Sequence, residues 1–209
     1  MLECRNLNIY KEDIILVKNK SFIIQKSEIY TLTGMSGAGK STLLKYICGI
    51  EQKSFTYEGE ILINQQSVNH LPTNQRGVRM IFQNDLLFPH MNVIENLLFA
   101  MPRKEKNSKE EALTLLSQLQ LDHLSYKNIN TLSGGEYSRI CLVRMIINKP
   151  NVLLVDEPFN NLDKNTRNIT KDFFYKNISE MNCATLIVSH NLEDIYSNDK
   201  IFELWMTII

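Results

Sequence analysis

The chain has 209 residues, with 23 basic and 23 acidic side chains and therefore a formal net charge of zero. This balance produces no global field that would attract nucleic acid or an anionic membrane. The length predicts one domain, or one domain with a small subdomain, and 44% hydrophobic residues is an ordinary content for a globular protein.

Cysteine spacing and apolar runs indicate the compartment. Cys4, Cys48, Cys141 and Cys183 lie far apart, without CxxC or Cys/His spacing. We therefore expect no disulfide framework and no zinc site, and we expect the protein to reside in a reducing environment.

The N-terminal stretch and the apolar runs bear on targeting. The charged N-terminal stretch lacks the apolar core of a signal peptide, and the apolar runs are far shorter than the ~20 residues that cross a bilayer. We expect a soluble protein that stays in the cytoplasm unless a partner holds it at a membrane.

Short apolar runs predict strands along most of the chain. They lie at 2–9, 21–24, 29–33, 60–63, 78–82, 152–156, 184–188 and 201–204. Continuous apolarity in the runs at 152–156 and 184–188 indicates strands that are covered on both faces, as in a parallel sheet. The early runs at 2–9, 21–24 and 60–63 favour a partly antiparallel sheet.

Helical patterns lie between the strands, over 41–50 and 163–181. A further helix is predicted near Ser108, because Ser108 and Glu111 have the spacing of a capping box. The leucines expected on one face of that helix are Leu113, Leu116 and Leu119.

The middle of the chain differs from its ends. Between Phe82 and Gly134 no run indicates a buried strand, and 102–110 has the composition of a solvated loop and helix start. We therefore expect a mostly helical insert, about 84–145, within a single α/β domain that spans 1–209.

A glycine-rich loop follows the strand predicted at 29–33. Gly34, Gly39, Lys40 and Ser41 satisfy the pattern G-x-x-x-x-G-K-S/T, with a strand entering the loop and a helix leaving it. A phosphate chain would lie against successive backbone N–H groups, at the positive end of the helix dipole. Lys40 is expected to contact β- and γ-phosphate oxygens, and the Ser41 hydroxyl to coordinate Mg²⁺.

We call residues 34–42 the phosphate loop. Its expected nucleotide contacts are Gly34, Met35, Ser36, Gly37, Ala38, Gly39, Lys40, Ser41 and Thr42. An ordinary glycine turn between strand and helix is the alternative. By itself the loop predicts a nucleoside triphosphate site, and it does not separate kinases, GTPases and motor ATPases.

Adjacent carboxylates end the apolar run at 152–156. In a doubly wound sheet this strand would hold Asp156 at its carboxyl end beside the phosphate loop, where Asp156 is suited to bind Mg²⁺ through water. Glu157 would be closer to an attacking water and is suited either to act as its general base or to orient it. An acidic turn before Pro158 is the structural alternative.

A second glycine motif begins another helical pattern. Ser133, Gly134 and Gly135 at a helix start form an anion-binding surface, although an ordinary capped helix has the same pattern. One nucleotide hardly needs two such surfaces from one copy. We therefore expect a two-fold dimer in which this segment of one chain closes the phosphate site of the other. We call residues 132–136 the signature segment.

These motifs and their order resemble those of the ATP-binding subunits of ABC transporters, over essentially the full chain. The residues that carry the resemblance are "GMSGAGKST" (34–42), Gln83, "LSGGE" (132–136), "VLLVDEP" (152–158), "NNLD" (160–163) and His190. The resemblance implies an α/β ABC ATPase fold: a P-loop NTPase core with a mostly parallel sheet, an N-terminal antiparallel β subdomain and a helical subdomain insert.

The resemblance also assigns roles to single residues. Gln83 would sense Mg²⁺ and the attacking water, and His190 would contact the γ-phosphate, so that both join Glu157 in catalysis. Tyr10 matches an aromatic residue that stacks on adenine, although packing on the first strand explains it equally well. Further nucleotide contacts are implied at Ser133, Gly134, Gly135, Glu136 and Asp163, and metal contacts at Ser41, Gln83 and Asp156.

The function implied by the resemblance is ATP hydrolysis that drives solute transport, with import as the expected direction. The expected partners are a second copy, two membrane permeases and a solute-binding protein, without nucleic acid. The chain would lie peripherally on the cytoplasmic face of a bacterial inner membrane. Its permease groove would contain Leu86, Leu87, Phe88 and Met91, unless these residues form subdomain core.

The segment at 71–102 is most similar to a small thiamine-type group of importers, including a poorly characterised putative transporter. From the end of the sequence soon after 201–204, we expect no regulatory C-terminal domain of the kind found in sugar and molybdate importers. A soluble ABC ATPase that acts on DNA or ribosomes is the alternative function. A P-loop kinase is disfavoured by the signature segment and His190.

The chain departs from the family pattern at Glu136 and Tyr137, and at "NNLD" (160–163), which replaces the commoner small residues before Leu162 and Asp163. Glu136 and Tyr137 stand where glutamine and a basic residue are usual, and a carboxylate near the γ-phosphate would need a neighbouring cation. Arg139 and Arg144 are candidates for that cation. The remaining site is complete, and we expect an active ATPase.

Overall fold

The computed structural model describes residues 1–81, 87–102, 107–160, 162–195 and 199–204. The described strands and helices, in chain order, are β1 (Leu2–Lys11), β2 (Ile14–Ile24), β3 (Ile29–Thr33), α1 (Lys40–Cys48), β4 (Thr56–Ile63), β5 (Gln66–Ser67), β6 (Val78–Ile81), α2 (Val93–Ala100), α3 (Ser108–Gln118), α4 (Gly134–Ile147), β7 (Val152–Asp156), α5 (Lys164–Glu180), β8 (Ala184–Val188) and β9 (Lys200–Glu203).

The chain divides into two compact units. The first contains Met1–Met80, Pro150–Glu157 and Asn182–Ile209, and the second contains Ile81–Lys149 and Pro158–Met181. The helical insert predicted at about 84–145 falls within the first segment of the second unit. Its assignment as a subdomain stays a prediction.

The first unit contains an antiparallel sheet with the strand order β2-β1-β4-β5. β1 pairs antiparallel with both β2 and β4, and β4 pairs antiparallel with β5. The predicted antiparallel character of the early strands is confirmed. The short run at 21–24 is only the end of β2, which begins at Ile14 and pairs with β1 on both sides of its exposed middle at Lys18 and Asn19.

The first unit also contains a five-stranded sheet with the order β6-β7-β8-β3-β9. The strands β7, β8, β3 and β9 run parallel to one another. Every residue of β7 and β8 is buried, which confirms the expectation from their continuous apolarity. The core formed by this unit includes Leu32, Leu43, Ile47, Leu154 and Leu186, all without exposed surface.

The second unit is built from α2, α3, α4 and α5, with α4 in contact with each of the other three. The predicted capping box at Ser108 is wrong. Asn107 occupies the N-cap position without a side-chain cap hydrogen bond, and Ser108 is the first helical residue and is buried. The α3 face predicted from leucine spacing is shifted, since Leu113 is only half-buried. The buried positions are Ala112, Leu115, Leu116 and Leu119.

In the described part of the chain, no helix has both the length and the apolarity that a membrane span requires. All four cysteines are buried, and none of the four forms a disulfide. Burial raises the pKa of Cys48 and Cys183 above the usual value for a thiol.

Candidate functional site

Three parallel strands end at the same level of the sheet. Leu32 of β3 pairs with Val188 of β8, and Val188 pairs with Asp156 of β7. The N–H of Glu157 donates to the Val188 carbonyl oxygen at 3.0 Å, which continues the ladder one residue past β7. The phosphate loop, Glu157 and His190 therefore follow strands that end side by side at the carboxyl edge of the sheet. In that sheet β8 lies between β7 and β3.

The phosphate loop has an exposed tip and a buried base. Residues 35–37 are exposed, whereas 38–40 are buried. Gly34 has φ 136, and a Cβ there would lie 2.3 Å from the Leu204 carbonyl oxygen, so the fold itself requires this glycine. Gly37 has φ 81, and no heavy atom lies within 4 Å of the place that its Cβ would take. The tip of the loop is therefore open to a ligand.

Lys40 holds its charge inside the loop. Its Nζ donates to the carbonyl oxygens of Gly34 at 2.9 Å and Met35 at 2.8 Å, and the residue is 5% exposed. Burial lowers the pKa of Lys40, while the negative charges of Glu157 and Asp156 act in the opposite direction. The lysine thus lies in the field of both carboxylates that follow β7.

Glu157 and His190 form a direct pair. Glu157 Oε1 lies 2.7 Å from His190 Nε2, and their side chains are 15% and 39% exposed. Glu157 has φ 52, in the left-handed region that costs a non-glycine residue free energy. The edge of the sheet therefore holds the backbone of Glu157 in a strained conformation, and such strain is common at functional sites.

Ser41 and Asp156 carry the side-chain oxygen atoms that are predicted to bind Mg²⁺. The Ser41 hydroxyl belongs to the first turn of α1, and Asp156 ends β7 with 8% exposure. Among the described residues, no cluster of three or more His, Cys, Asp and Glu is placed to hold a metal ion. Mg²⁺ needs no such cluster, since one or two protein oxygens, waters and substrate phosphates usually complete its octahedron. The residues present therefore fit Mg²⁺.

A capping box organises the signature segment. Ser133 is the N-cap of α4: its Oγ accepts from the Glu136 N–H at 3.3 Å, and the Glu136 carboxylate accepts from the Ser133 N–H at 2.7 Å. The hydrogen bond from the Ser133 backbone N–H to the Glu136 carboxylate, followed by one from the Ser133 side chain, lowers the pKa of Glu136. No heavy atom lies within 4 Å of a Cβ added at Gly134, and this glycine is outside the left-handed region. The described structure therefore does not require glycine at position 134.

The two arginines expected to balance Glu136 differ in their contacts. Arg139 donates its Nε to the Gly135 carbonyl oxygen at 3.2 Å, and its charge contributes to the lowered pKa of Glu136. Arg144 lies instead over the Phe88 ring, 5.7 Å from its centroid. The positive charge of Arg139 thus stabilises the ionised carboxylate of Glu136 electrostatically.

Tyr10, Asp163 and Gln83 were also predicted as site residues, and the contacts of the first two are described by the structure. The Tyr10 hydroxyl donates to Glu58 at 3.1 Å, and this hydrogen bond raises the pKa of Tyr10. Asp163 is the N-cap of α5, where its carboxylate accepts from the Thr166 N–H at 3.1 Å, and hydrogen bonds from Thr166 lower the pKa of Asp163. Gln83 lies outside the described residues, as does Leu86. The site roles of these residues stay predictions.

Sequence reasoning missed the contact made by Arg76, which holds the far end of α1. This residue is 4% exposed and donates to the carbonyl oxygens of Tyr46 at 3.1 Å, Asn69 at 2.9 Å and Leu71 at 2.9 Å. It therefore joins the C-terminus of the helix that begins at the phosphate loop to the segment before β6. A single arginine in a polar stretch has no spacing pattern that predicts such burial.

Comparison with known proteins identifies relatives over the whole chain. The ABC transporter family model matches residues 17–160. The chain is 37% identical over 205 residues to the spermidine/putrescine import ATP-binding protein PotA of Legionella pneumophila (strain Paris), with 96% of this chain and 56% of PotA covered. It is 32% identical over 206 residues to the uncharacterized ABC transporter ATP-binding protein YnjD of Escherichia coli (strain K12), with 98% and 95% covered. The chain thus spans about half the length of PotA, at 56%, and nearly all of YnjD.

A solved structure has the same fold. The dimeric post-hydrolysis structure of the ATP-binding cassette MJ0796 bound to ADP and Pi superposes with a TM-score of 0.82 and 26% identity, covering 98% of this chain and 94% of that chain. The predicted fold class is confirmed, with its parallel sheet and its antiparallel sheet. The similarity to a thiamine-type group stays a prediction. The family match and the shared fold together establish that the chain belongs to the ABC transporter family, as an ATP-binding domain.

Proposed function

We propose that this chain binds and hydrolyses ATP as the energy-coupling subunit of an ABC transporter. The observation that carries the proposal is the row of strand ends that brings together the phosphate loop, Glu157 and His190. Lys40 lies in the field of the carboxylates in that row, as expected of a lysine that exchanges loop carbonyls for phosphate oxygens.

Hydrolysis would use the carboxylate of Glu157 as the general base. It accepts a proton from water as the water oxygen bonds to the γ-phosphorus and the bond to the β-γ bridging oxygen breaks, which releases ADP and phosphate. His190, which lies 2.7 Å from Glu157, would orient this carboxylate and would also contact the γ-phosphate. Mg²⁺ held by Ser41 and Asp156, with Gln83 as an additional contact, would neutralise charge on the phosphate oxygens.

The nucleotide would be enclosed by a second copy of the chain. In each site the phosphate loop of one copy is completed by Ser133, Gly134, Gly135 and Glu136 of the other, with Asp163 at the interface. The open space at Gly134 supports this arrangement, because a glycine that the fold does not require suits close approach by a ligand. MJ0796, a cassette of the same fold, is described as dimeric. ATP would then favour closure because it contacts both copies.

Transport would follow from contact with two membrane permeases at the cytoplasmic face of the membrane. Phe88 and Phe99 support this part of the proposal: they are 36% and 61% exposed, and their ring centroids lie 5.0 Å apart in an edge contact. Leu87 is 3% exposed and belongs to the core, so we leave it out of the proposed permease surface. Import, with a solute-binding protein, is supported by the name of PotA, which describes an import subunit. The solute is chosen by the permease and the binding protein.

The test of this function is ATP-driven dimerisation of a hydrolysis-deficient variant. Glu157→Gln should bind Mg-ATP and elute as a dimer in size-exclusion chromatography with light scattering, and as a monomer without nucleotide. Adding Gly134→Ala should weaken the dimer while leaving the thermal unfolding temperature of the nucleotide-free chain unchanged, because the extra methyl group meets no protein atom. A monomer at saturating Mg-ATP, or unchanged dimerisation with Gly134→Ala, would contradict the shared site.

A further inference from the structure

We infer that Tyr137 is a positioning residue that couples the signature segment to the loop at 87–91, in which Phe88, Pro89 and His90 are exposed. Tyr137 immediately follows the signature segment, in the first turn of α4. Its hydroxyl oxygen accepts a hydrogen bond from the Leu87 N–H at 2.7 Å, across 50 residues of sequence. The inference rests on the proposed ATP-driven closure and goes beyond it, because it specifies where movement leaves the signature segment.

A second residue of α4 contacts the same loop. Arg144, two turns after Tyr137, places its guanidinium 5.7 Å from the centroid of the Phe88 ring. Such a cation over an aromatic face is attracted by the ring quadrupole. The helix therefore contacts consecutive residues of the loop, one through its backbone and one through its side chain. A shift or rotation of α4 would displace both of these contacts together.

The other side of the loop is held by a buried amide. Asn96 of α2 has no exposed surface; its Oδ1 accepts from the Phe88 N–H at 2.8 Å, and its Nδ2 donates to the carbonyl oxygens of Phe88 and Met91, each at 3.2 Å. These hydrogen bonds fix the shape of the loop. A loop of fixed shape moves as one piece, so a displacement at Leu87 also moves the exposed ring of Phe88.

Tyr137 suits this role because its phenolic oxygen can accept a hydrogen bond and because it lies in the first turn of α4. The signature segment forms its capping box at the start of α4, so closure around a nucleotide acts first on the turn that carries Tyr137. A glutamine or a basic residue, which the resemblance implies at this position, differs in reach and in hydrogen-bonding groups from a phenol. The phenolic oxygen accepts from the backbone of Leu87, a contact that does not depend on the side chain of residue 87.

The test follows the backbone amides of 87–91 by NMR in the Glu157→Gln chain, with and without Mg-ATP. We expect Mg-ATP to shift these resonances. Tyr137→Phe should abolish the shift at Leu87 and Phe88 while ATP affinity and dimerisation are retained. Without nucleotide, the same substitution should raise the hydrogen-exchange rate of the Leu87 amide about two- to tenfold, the range that corresponds to the net free energy of one hydrogen bond.

Tyr126→Phe is the matched control. Tyr126 belongs to the same unit and is 65% exposed, with its ring near the Lys109 ammonium, so that its change removes a phenolic hydroxyl from an exposed side chain. It should leave the ATP response of 87–91 as in the parent chain. A full response in Tyr137→Phe would overturn the coupling role alone, since dimerisation is measured on the same samples. A parent chain that fails to dimerise would overturn the proposed function as well.

Discussion

Glu157 Oε1 and His190 Nε2 lie 2.7 Å apart at the carboxyl edge of the parallel sheet, one residue after β7 and two residues after β8. The pair is fixed by strand register, because Asp156 and Val188 are paired in the sheet and the Glu157 N–H continues that ladder. The strained backbone of Glu157, with φ 52, is maintained by the same ladder. Two side chains that are distant in sequence thus form one closely spaced pair, which we propose acts as a unit.

The unit predicts non-additive kinetics. Glu157→Gln should reduce the ATP hydrolysis rate by about 10²–10⁴-fold with ATP binding retained, because the general base is lost. His190→Ala should also reduce the rate, and the double variant should be little worse than Glu157→Gln alone, since His190 acts partly through Glu157. Steady-state phosphate release from the three variants measures this. Multiplicative effects of the two substitutions would show that the residues act independently.

Lys40→Ala should abolish measurable ATP affinity, because it removes the cation that the loop carbonyls of Gly34 and Met35 orient. Isothermal titration with Mg-ATP is the measurement. Lys53→Ala, which changes an exposed lysine in the loop after α1, is the control and should bind ATP normally. Unchanged affinity in Lys40→Ala would contradict the assigned phosphate contact.

Glu136 predicts a pH-dependent contribution to stability. Its pKa in the folded chain lies below the usual 4.5, because the ionised carboxylate accepts hydrogen bonds from Ser133. The stabilisation is therefore complete at pH values above 4.5 and is lost as the pH falls through the folded-state pKa. Glu136→Gln should lower the thermal unfolding temperature slightly at about pH 7, and the difference should shrink at about pH 4. A difference that grows on acidification would contradict the capping role of the carboxylate.

Arg76→Lys should destabilise the chain by about 3 kcal/mol or more, because one ammonium cannot replace a buried guanidinium that serves several carbonyl oxygens. Chemical denaturation measures the loss. Arg5→Lys is the matched control: the Arg5 side chain is 51% exposed in its ion pairs with Glu3 and Glu60, and its change should be nearly neutral. Equal effects of the two substitutions would show that the hydrogen bonds of Arg76 add little to stability.

The fold was most predictable where local pattern and burial agree. The runs at 152–156 and 184–188 match the observed strands residue for residue, since a strand covered on both faces is apolar throughout. The first half of β2 was missed although 14–17 is apolar, because the exposed polar residues Lys18 and Asn19 separate it from the run at 21–24; pairing with β1 joins both parts into one strand. The helix start at Ser108 was placed one residue late, because Asn107 and Ser108 are both plausible caps and packing buries Ser108.

The amino-acid sequence alone determined the class of this protein, since the glycine loop, the carboxylate strand and the signature segment are local patterns whose chemistry depends on neighbouring residues. The tertiary structure alone decided which distant groups meet: Glu157 with His190, Gly34 with Leu204, and Tyr137 with Leu87. The physical reason is that such contacts depend on sheet register and on the packing of helices. Those relationships join residues far apart in the chain, so no local spacing encodes them.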